Sequence, residues 1–232
     1  MQRYASVGAL CFDAGVTEGE LAAVHGDFEA HITVRVSEAG TAVALERHAA
    51  QHGMKFTHIV LMRGRMPDQP MVTVRRSGTA PAVREWVDAV AGALSAAGFE
   101  VVRVKLEATP WAAGVPGTDE AAEVLGSRYY FEHHIKLLLP ADAGLDHLAA
   151  AVTGHRAHIS ANARRVRADG RTERFVTQRC RAVGNRRAEA ALADLLAVLA
   201  HYHVLSVERE FVVYDSNLSA DEGWITEPAV AA

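Results

Sequence analysis

The sequence predicts an α+β fold in which one βαββαβ unit is written twice along the chain. Three observations predict it. The segment Phe28-Glu29-Ala30-His31-Ile32-Thr33-Val34 is matched by Phe131-Glu132-His133-His134-Ile135-Lys136-Leu137, an offset of 134 − 31 = 103. A nearly constant offset also carries His58-Ile59 onto His158-Ile159, Val72-Thr73-Val74-Arg75 onto Val176-Thr177-Gln178-Arg179, and Phe99 to Glu107 onto Tyr202 to Glu210. Within each copy, the hydrophobic period switches between that of a strand and that of a helix in one fixed order.

In the first copy, Phe28 to Val36 alternates apolar and polar residues as a half-buried strand does, Thr41 to His52 has helical spacing, and Phe56 to Met62 and Met71 to Arg76 read as the next two strands. Pro81 falls in a first helical turn, where its missing N–H costs nothing. The stripe Val83, Trp86, Val87, Val90, Leu94 then runs to Gly98 and precedes a last strand, Val101 to Glu107. The second copy repeats the order and ends on a long helix, Arg187 to His201, and its strand. This order is that of the ferredoxin-like fold, with helices on one face of an antiparallel sheet. The expectation is therefore two such sheets with their open faces opposed. Residues 1–108 form an N-terminal lobe, 109–128 a linker and 129–232 a C-terminal lobe. The linker carries Pro110, Gly114, Pro116, Gly117 and Gly126, with one short helix at Asp119 to Leu125. Tyr4 to Phe12 is a candidate extra strand, and Trp224 and Ile225 in a polar tail predict that the tail packs back on the body.

Composition narrows the function classes. A chain of 232 residues, 50% hydrophobic, is an ordinary globular protein by its content. Its net charge of −4 and pI near 6.3 argue against a general nucleic-acid surface, which needs an excess of Lys and Arg. Cys11 and Cys180 have no CxxC spacing, so neither a disulfide framework nor a cysteine zinc site is indicated. No run is long enough to span a membrane, and a cytoplasmic protein is expected. Walker, GxGxxG and GxSxG motifs are absent.

Strand alternation then selects the residues that face away from the helices. They fall into matched sets: Glu29, His31, Thr73, Arg75 and Glu107 in the first copy, and Glu132, His134, Thr177, Arg179 and Glu210 in the second. Thr33, Lys105, Lys136, His158 and Ser160 share those faces. With strand order 4-1-3-2, each histidine sits at the centre of its sheet. Opposed sheets would enclose a polar cleft, and a buried charged cleft is expensive unless something is bound or reacted there.

Ala30-His31-Ile32-Thr33-Val34 resembles the hydrophobic-His-hydrophobic-Thr motif of the two-histidine phosphoesterase superfamily, whose members are bilobal and pseudo-symmetric. The resemblance implies hydrolysis of a phosphodiester. His31 and His134 would be acid and base and Thr33 would steady a phosphate oxygen, although the repeat puts Lys136 where the second motif would have Thr or Ser; the polar residues Thr73, Arg75, Lys105, His158, Ser160, Thr177 and Arg179 of the open faces would hold an anionic small-molecule substrate. Under this reading no cofactor is needed.

Two alternatives stand beside it. Glu29, His31 and Glu107, repeated as Glu132, His134 and Glu210, are a mixed carboxylate and imidazole set suited to zinc, manganese or iron. Arg35, Arg75, Lys105, Lys136, Arg164 and Arg179 would alternatively serve a non-catalytic binder of an anionic metabolite. A related arrangement is that of dimeric α+β barrel proteins, where two ferredoxin-like sheets enclose a substrate in a generally more apolar cavity.

Overall fold

In the computed structural model, residues 24–162 and 167–224 are described. The candidate strand Tyr4 to Phe12, and Arg164, lie outside them. The first unit runs β1 (His25–Val34), α1 (Thr41–Gln51), β2 (Lys55–Leu61), β3 (Asp68–Thr79), α2 (Ala80–Ala96) and β4 (Val101–Ala108). After α3 (Asp119–Leu125) the second runs β5 (Tyr130–Leu139), α4 (Leu145–Thr153), β6 (Ala157–Asn162), β7 (Thr172–Arg181), α5 (Asn185–Val198) and β8 (His203–Asp215), followed by a 3-10 turn, Leu218–Asp221. Pro81 does open α2, and Thr118 caps α3 by accepting from the Ala121 amide. No helix among the described residues is long and apolar enough to cross a membrane.

The α+β class and the duplicated unit stand, but the expectation of two separate sheets does not. The strands close into one antiparallel barrel in the order β1-β3-β2-β6-β7-β5-β8-β4, which joins two 4-1-3-2 runs edge to edge. The reason is the free edge: each isolated sheet would leave the outer strands β4, β2, β6 and β8 with unpaired amides and carbonyls. Two joints remove much of that exposure. β8 outruns its counterpart β4, and Phe211, Val212, Tyr214 and Asp215 pair with Ala108, Glu107, Leu106 and Lys105. At the other seam Ile59, Val60 and Leu61 of β2 pair with Asn162, Ala161 and Ser160 of β6. In the first copy Pro110 ends the chain's capacity to continue such a ladder.

Alternation gives this barrel an apolar outside and a polar inside. Phe28, Ala30, Ile32 and Val34 of β1 point to the helices and join a core with Leu45, Val83, Val87 and Leu94 of α1 and α2. Ile135, Leu137 and Leu139 of β5 do the same against Leu148, Val152, Leu192 and Leu195 of α4 and α5. The linker is pinned to the second unit. Asp119 accepts from the Gly184 amide at 2.8 Å and pairs with Arg187, and a Cβ at Gly184 would come within 2.4 Å of the Thr118 backbone.

The C-terminal segment lies across the barrel, its anchors spread over β3, β4, β6 and β7. Asp221 is held by Arg103, Arg179 and Gln69, and the Trp224 indole donates to the Ile159 carbonyl at 3.0 Å. Gly64 makes room for it. Its φ is +118°, and a Cβ there would meet the Trp224 amide nitrogen at 2.9 Å. Gly64→Ala is therefore expected to lower stability by about 1–3 kcal/mol and to unseat the segment. A red shift of tryptophan emission in the folded variant checks the second part; an unshifted spectrum would show that the segment tolerates the methyl group.

Candidate functional site

Strand β1 directs Glu29, His31 and Thr33 into the barrel, and β5 directs Glu132, His134 and Lys136 in from the other unit; all six line one interior cavity of about 380 Å³. Its apolar surface comes from Phe56, Ile59, Leu61, Met71, Phe175 and Trp224. The cavity is thus amphipathic, with an ionic floor and a partly aromatic wall.

The two histidines are anchored alike at Nδ1. His31 and His134 stand opposite Thr73 and Thr177 in the sheet register, and each ring Nδ1 lies 2.9 Å from the threonine hydroxyl. The other ring nitrogen meets carboxylates. His31 Nε2 is 3.0 Å from Glu107 and 3.7 Å from Glu29, and His134 Nε2 is 3.3 Å from both Glu132 and Glu210. One N–H cannot point at two carboxylates, and Glu210 Oε2 is left buried without a hydrogen bond.

Between the histidines lies a chain of buried ion pairs. Lys105 reaches Glu107 at 2.6 Å and also Glu132 of the other unit. Glu132 accepts from Arg179 as well, and Asp221 joins Arg179 to Arg103. Arg103 in turn forms a bidentate pair with Asp215 at 2.9 and 2.6 Å. Burial alone would raise the Glu132 carboxyl, but Arg179 and Lys105 hold it well below the ordinary range. Burial alone would lower His134, but Glu132 and Glu210 outweigh it and push the imidazole up to about 10. Glu210 is raised, first by burial and then by the Glu107 charge.

The expected site residues divide accordingly. Glu29, His31, Thr33, Lys105, Glu132, His134, Lys136, Ser160, Thr177, Arg179 and Glu210 line the cavity. Thr73 spends its hydroxyl on His31, and His158 packs its ring on Trp224, 5.8 Å between centroids. Arg75 points out, 74% exposed and paired with Glu29, whereas its counterpart Arg179 is 4% exposed. Arg35 pairs with Glu100 on the surface. Of the six expected metal ligands, Glu107, Glu132, His134 and Glu210 bring one ligand atom each to within 4.8 Å of one another; Glu29 and His31 are not in that group.

Several residues of the site lie outside the expected set. Arg103 shares the strand face of Lys105 and Glu107 by simple alternation, so its signal was present in the sequence. Asp215 reads as a turn residue, and Asp221 lies in a tail with no periodicity. Nothing local marks either as the counter-ion of a buried arginine.

No family model and no curated protein matches this chain. Among solved structures it is similar to the small subunit of acetolactate synthase from Thermotoga maritima, at 14% identity over 82% of this chain and 95% of that one, with a TM-score of 0.29. It is also similar to the ligand-free regulatory subunit of aspartate kinase from Thermus thermophilus, at 15% identity over 76% and 98% of the two chains, with a TM-score of 0.31. Neither is a two-histidine phosphoesterase, and the expectation of that family, with its hydrolase activity, is corrected here. The geometry gives the physical reason. Both imidazoles are clamped at both nitrogens, and a ring held charged up to about pH 10, as His134 is, has no lone pair to act as a base at neutral pH. Lys136, the counterpart of Thr33, is 3.3 Å from Glu173 and so is not poised as a free phosphate donor.

Proposed function

We propose that this chain is a non-catalytic binding protein that receives a small molecule inside the barrel. The observation that carries the reading is the amphipathic cavity of about 380 Å³ above an ionic floor in which Lys105 and Arg179 are paired with Glu107 and Glu132. The volume lies at the small end of ligand pockets, and a wall that mixes apolar residues with a few fixed polar groups suits recognition. The locked histidines favour holding a ligand over turning it over.

The test is a thermal-shift screen of the intact chain against small charged metabolites. A true ligand at about a hundred times its Kd should add about 2.7 kcal/mol of stability and be recovered unchanged. Consumption of the ligand, followed by NMR, would replace binding with catalysis. A screen without any stabilising compound would remove the reading.

One observation favours a second reading, in which a divalent metal sits among Glu107, Glu132, His134 and Glu210. Occupancy requires His134 to give up its proton and Lys105 to leave Glu107 and Glu132, since a metal and those cations compete for the same oxygens. Stoichiometric zinc, manganese or iron in the purified protein, lost in Glu210→Gln, is the result that supports it.

A further inference from the structure

The binding reading leaves the charge of the ligand open, and the state of each ionic group around the cavity narrows it. Every cation on the wall is engaged. Arg103 is held by Asp215 and Asp221, Arg179 by Glu132 and Asp221, and Lys105 by Glu107 and Glu132. Lys136 pairs with Glu173 and lies 5.1 Å over the Phe175 ring, and Lys55 is 4.0 Å from Glu29. An anion that engages Arg103, Lys105 or Arg179 must break one of these buried pairs and leave a buried carboxylate uncompensated, which costs several kcal/mol.

The acceptors are less fully met. Glu210 Oε2 is buried and has His134 Nε2 at 3.3 Å but no aligned hydrogen bond, and both oxygens of Glu107 likewise make ion contacts but no aligned hydrogen bond. Glu208, two residues along β8 and on the same wall, is exposed at the cavity mouth side of the strand and has no ion pair among the described residues. Buried acceptors without donors are costly and call for a donor from elsewhere. The remainder of the cavity offers aromatic faces at Phe56, Phe175 and Trp224, which accommodate either an apolar body or the flank of a cation.

We infer that the ligand of the binding reading carries an ammonium head that seats on Glu210 and Glu208, with an apolar body against the aromatic wall. The anionic ligand expected from the arginine and lysine content finds no free partner in this cavity. The Arg and Lys side chains that line the cavity are paired with the protein's own carboxylates.

The experiment uses the full chain and a series of alkyl- and arylalkylammonium ions, from isobutylammonium to phenethylammonium, each beside its alcohol and its carboxylate counterpart. Members of the ammonium series are expected to raise the melting temperature in a saturable way, and their counterparts are not. Glu210→Gln should weaken phenethylammonium binding at least tenfold by calorimetry. Because Glu210 also touches His134, Glu208→Gln serves as the second variant; it removes no internal partner and should weaken binding about fivefold while leaving the melting temperature of the free protein unchanged. Stabilisation by the carboxylates and not the amines overturns the inference while leaving the binding reading in place, as does stabilisation by zinc or manganese alone. If neither this series nor the metabolite screen stabilises the chain, the binding reading falls with it.

Discussion

Glu132→Gln is expected to cost about 3–5 kcal/mol of stability, enough to unfold a protein of ordinary stability or leave it barely folded. The side chain is 1% exposed, and it compensates Arg179, Lys105 and the His134 imidazolium together. The amide keeps the shape and removes the charge, so three cations remain in a low-dielectric interior with one fewer anion between them. Some of that cost is relieved if Lys105 turns wholly to Glu107 or His134 loses its proton, which is why the expected loss is below the sum of three broken pairs.

The duplication supplies the control. Glu29 is the same residue at the equivalent position of the other unit, yet its side chain is 18% exposed and its arginine partner is 74% exposed. Solvent replaces what Glu29→Gln removes, and the expected loss is under about 1 kcal/mol. Urea denaturation of both variants measures the contrast. Equal losses would mean that burial does not set the worth of these pairs, and that the chain of ion pairs has been misread as the structural keystone of the barrel.

The contrast between Glu29 and Glu132 also shows what the sequence can carry. Periodicity and the repeat were enough to place the strands and to pick out the faces bearing Glu29, His31, Glu132 and His134, because both follow from local alternation, whereas the 4-1-3-2 order of each run came from the ferredoxin-like expectation. Closure was not legible in the same way. It depends on β8 running beyond β4 to pair Phe211 with Ala108, a contact between copies that no local pattern specifies. The same is true of the ion pairs. Matched residues such as Arg75 and Arg179 look equivalent in sequence, but the C-terminal segment brings Asp221 to only one of them and buries it. The sequence likewise does not show that Arg179 and Arg103 answer to Asp221 and Asp215, which lie far from them along the chain.

The second large effect is in alkali. His134 is held protonated by Glu132 and Glu210, with Glu107, Lys105 and Arg179 completing its charged surroundings, and its pKa stands at about 10 against 6.5 for a free imidazole. A group raised on folding contributes stability that is whole below its unfolded value and is lost as pH climbs to the folded one. Stability should therefore fall progressively between about pH 6.5 and pH 10, by an amount whose ceiling is roughly 5 kcal/mol, and the melting temperature should fall with it. Glu210, also raised, acts in the same direction at lower pH. Glu132, Asp215 and Asp221, held low by their arginines, act oppositely: their contribution is present above the ordinary carboxylate range and is lost as pH drops below it. Stability should accordingly peak between about pH 5 and 6.5. His134→Gln should start from a lower melting temperature and show a much flatter alkaline limb, and an unchanged slope would assign that limb to other groups. The same titration separates the two occupants considered for the floor. A divalent ion needs the neutral imidazole, so its binding strengthens as pH rises. An ammonium ion seated on Glu210 needs that carboxylate ionised, so its affinity should fall in acid as Glu210 takes up a proton and otherwise change little until His134 or the amine itself begins to titrate.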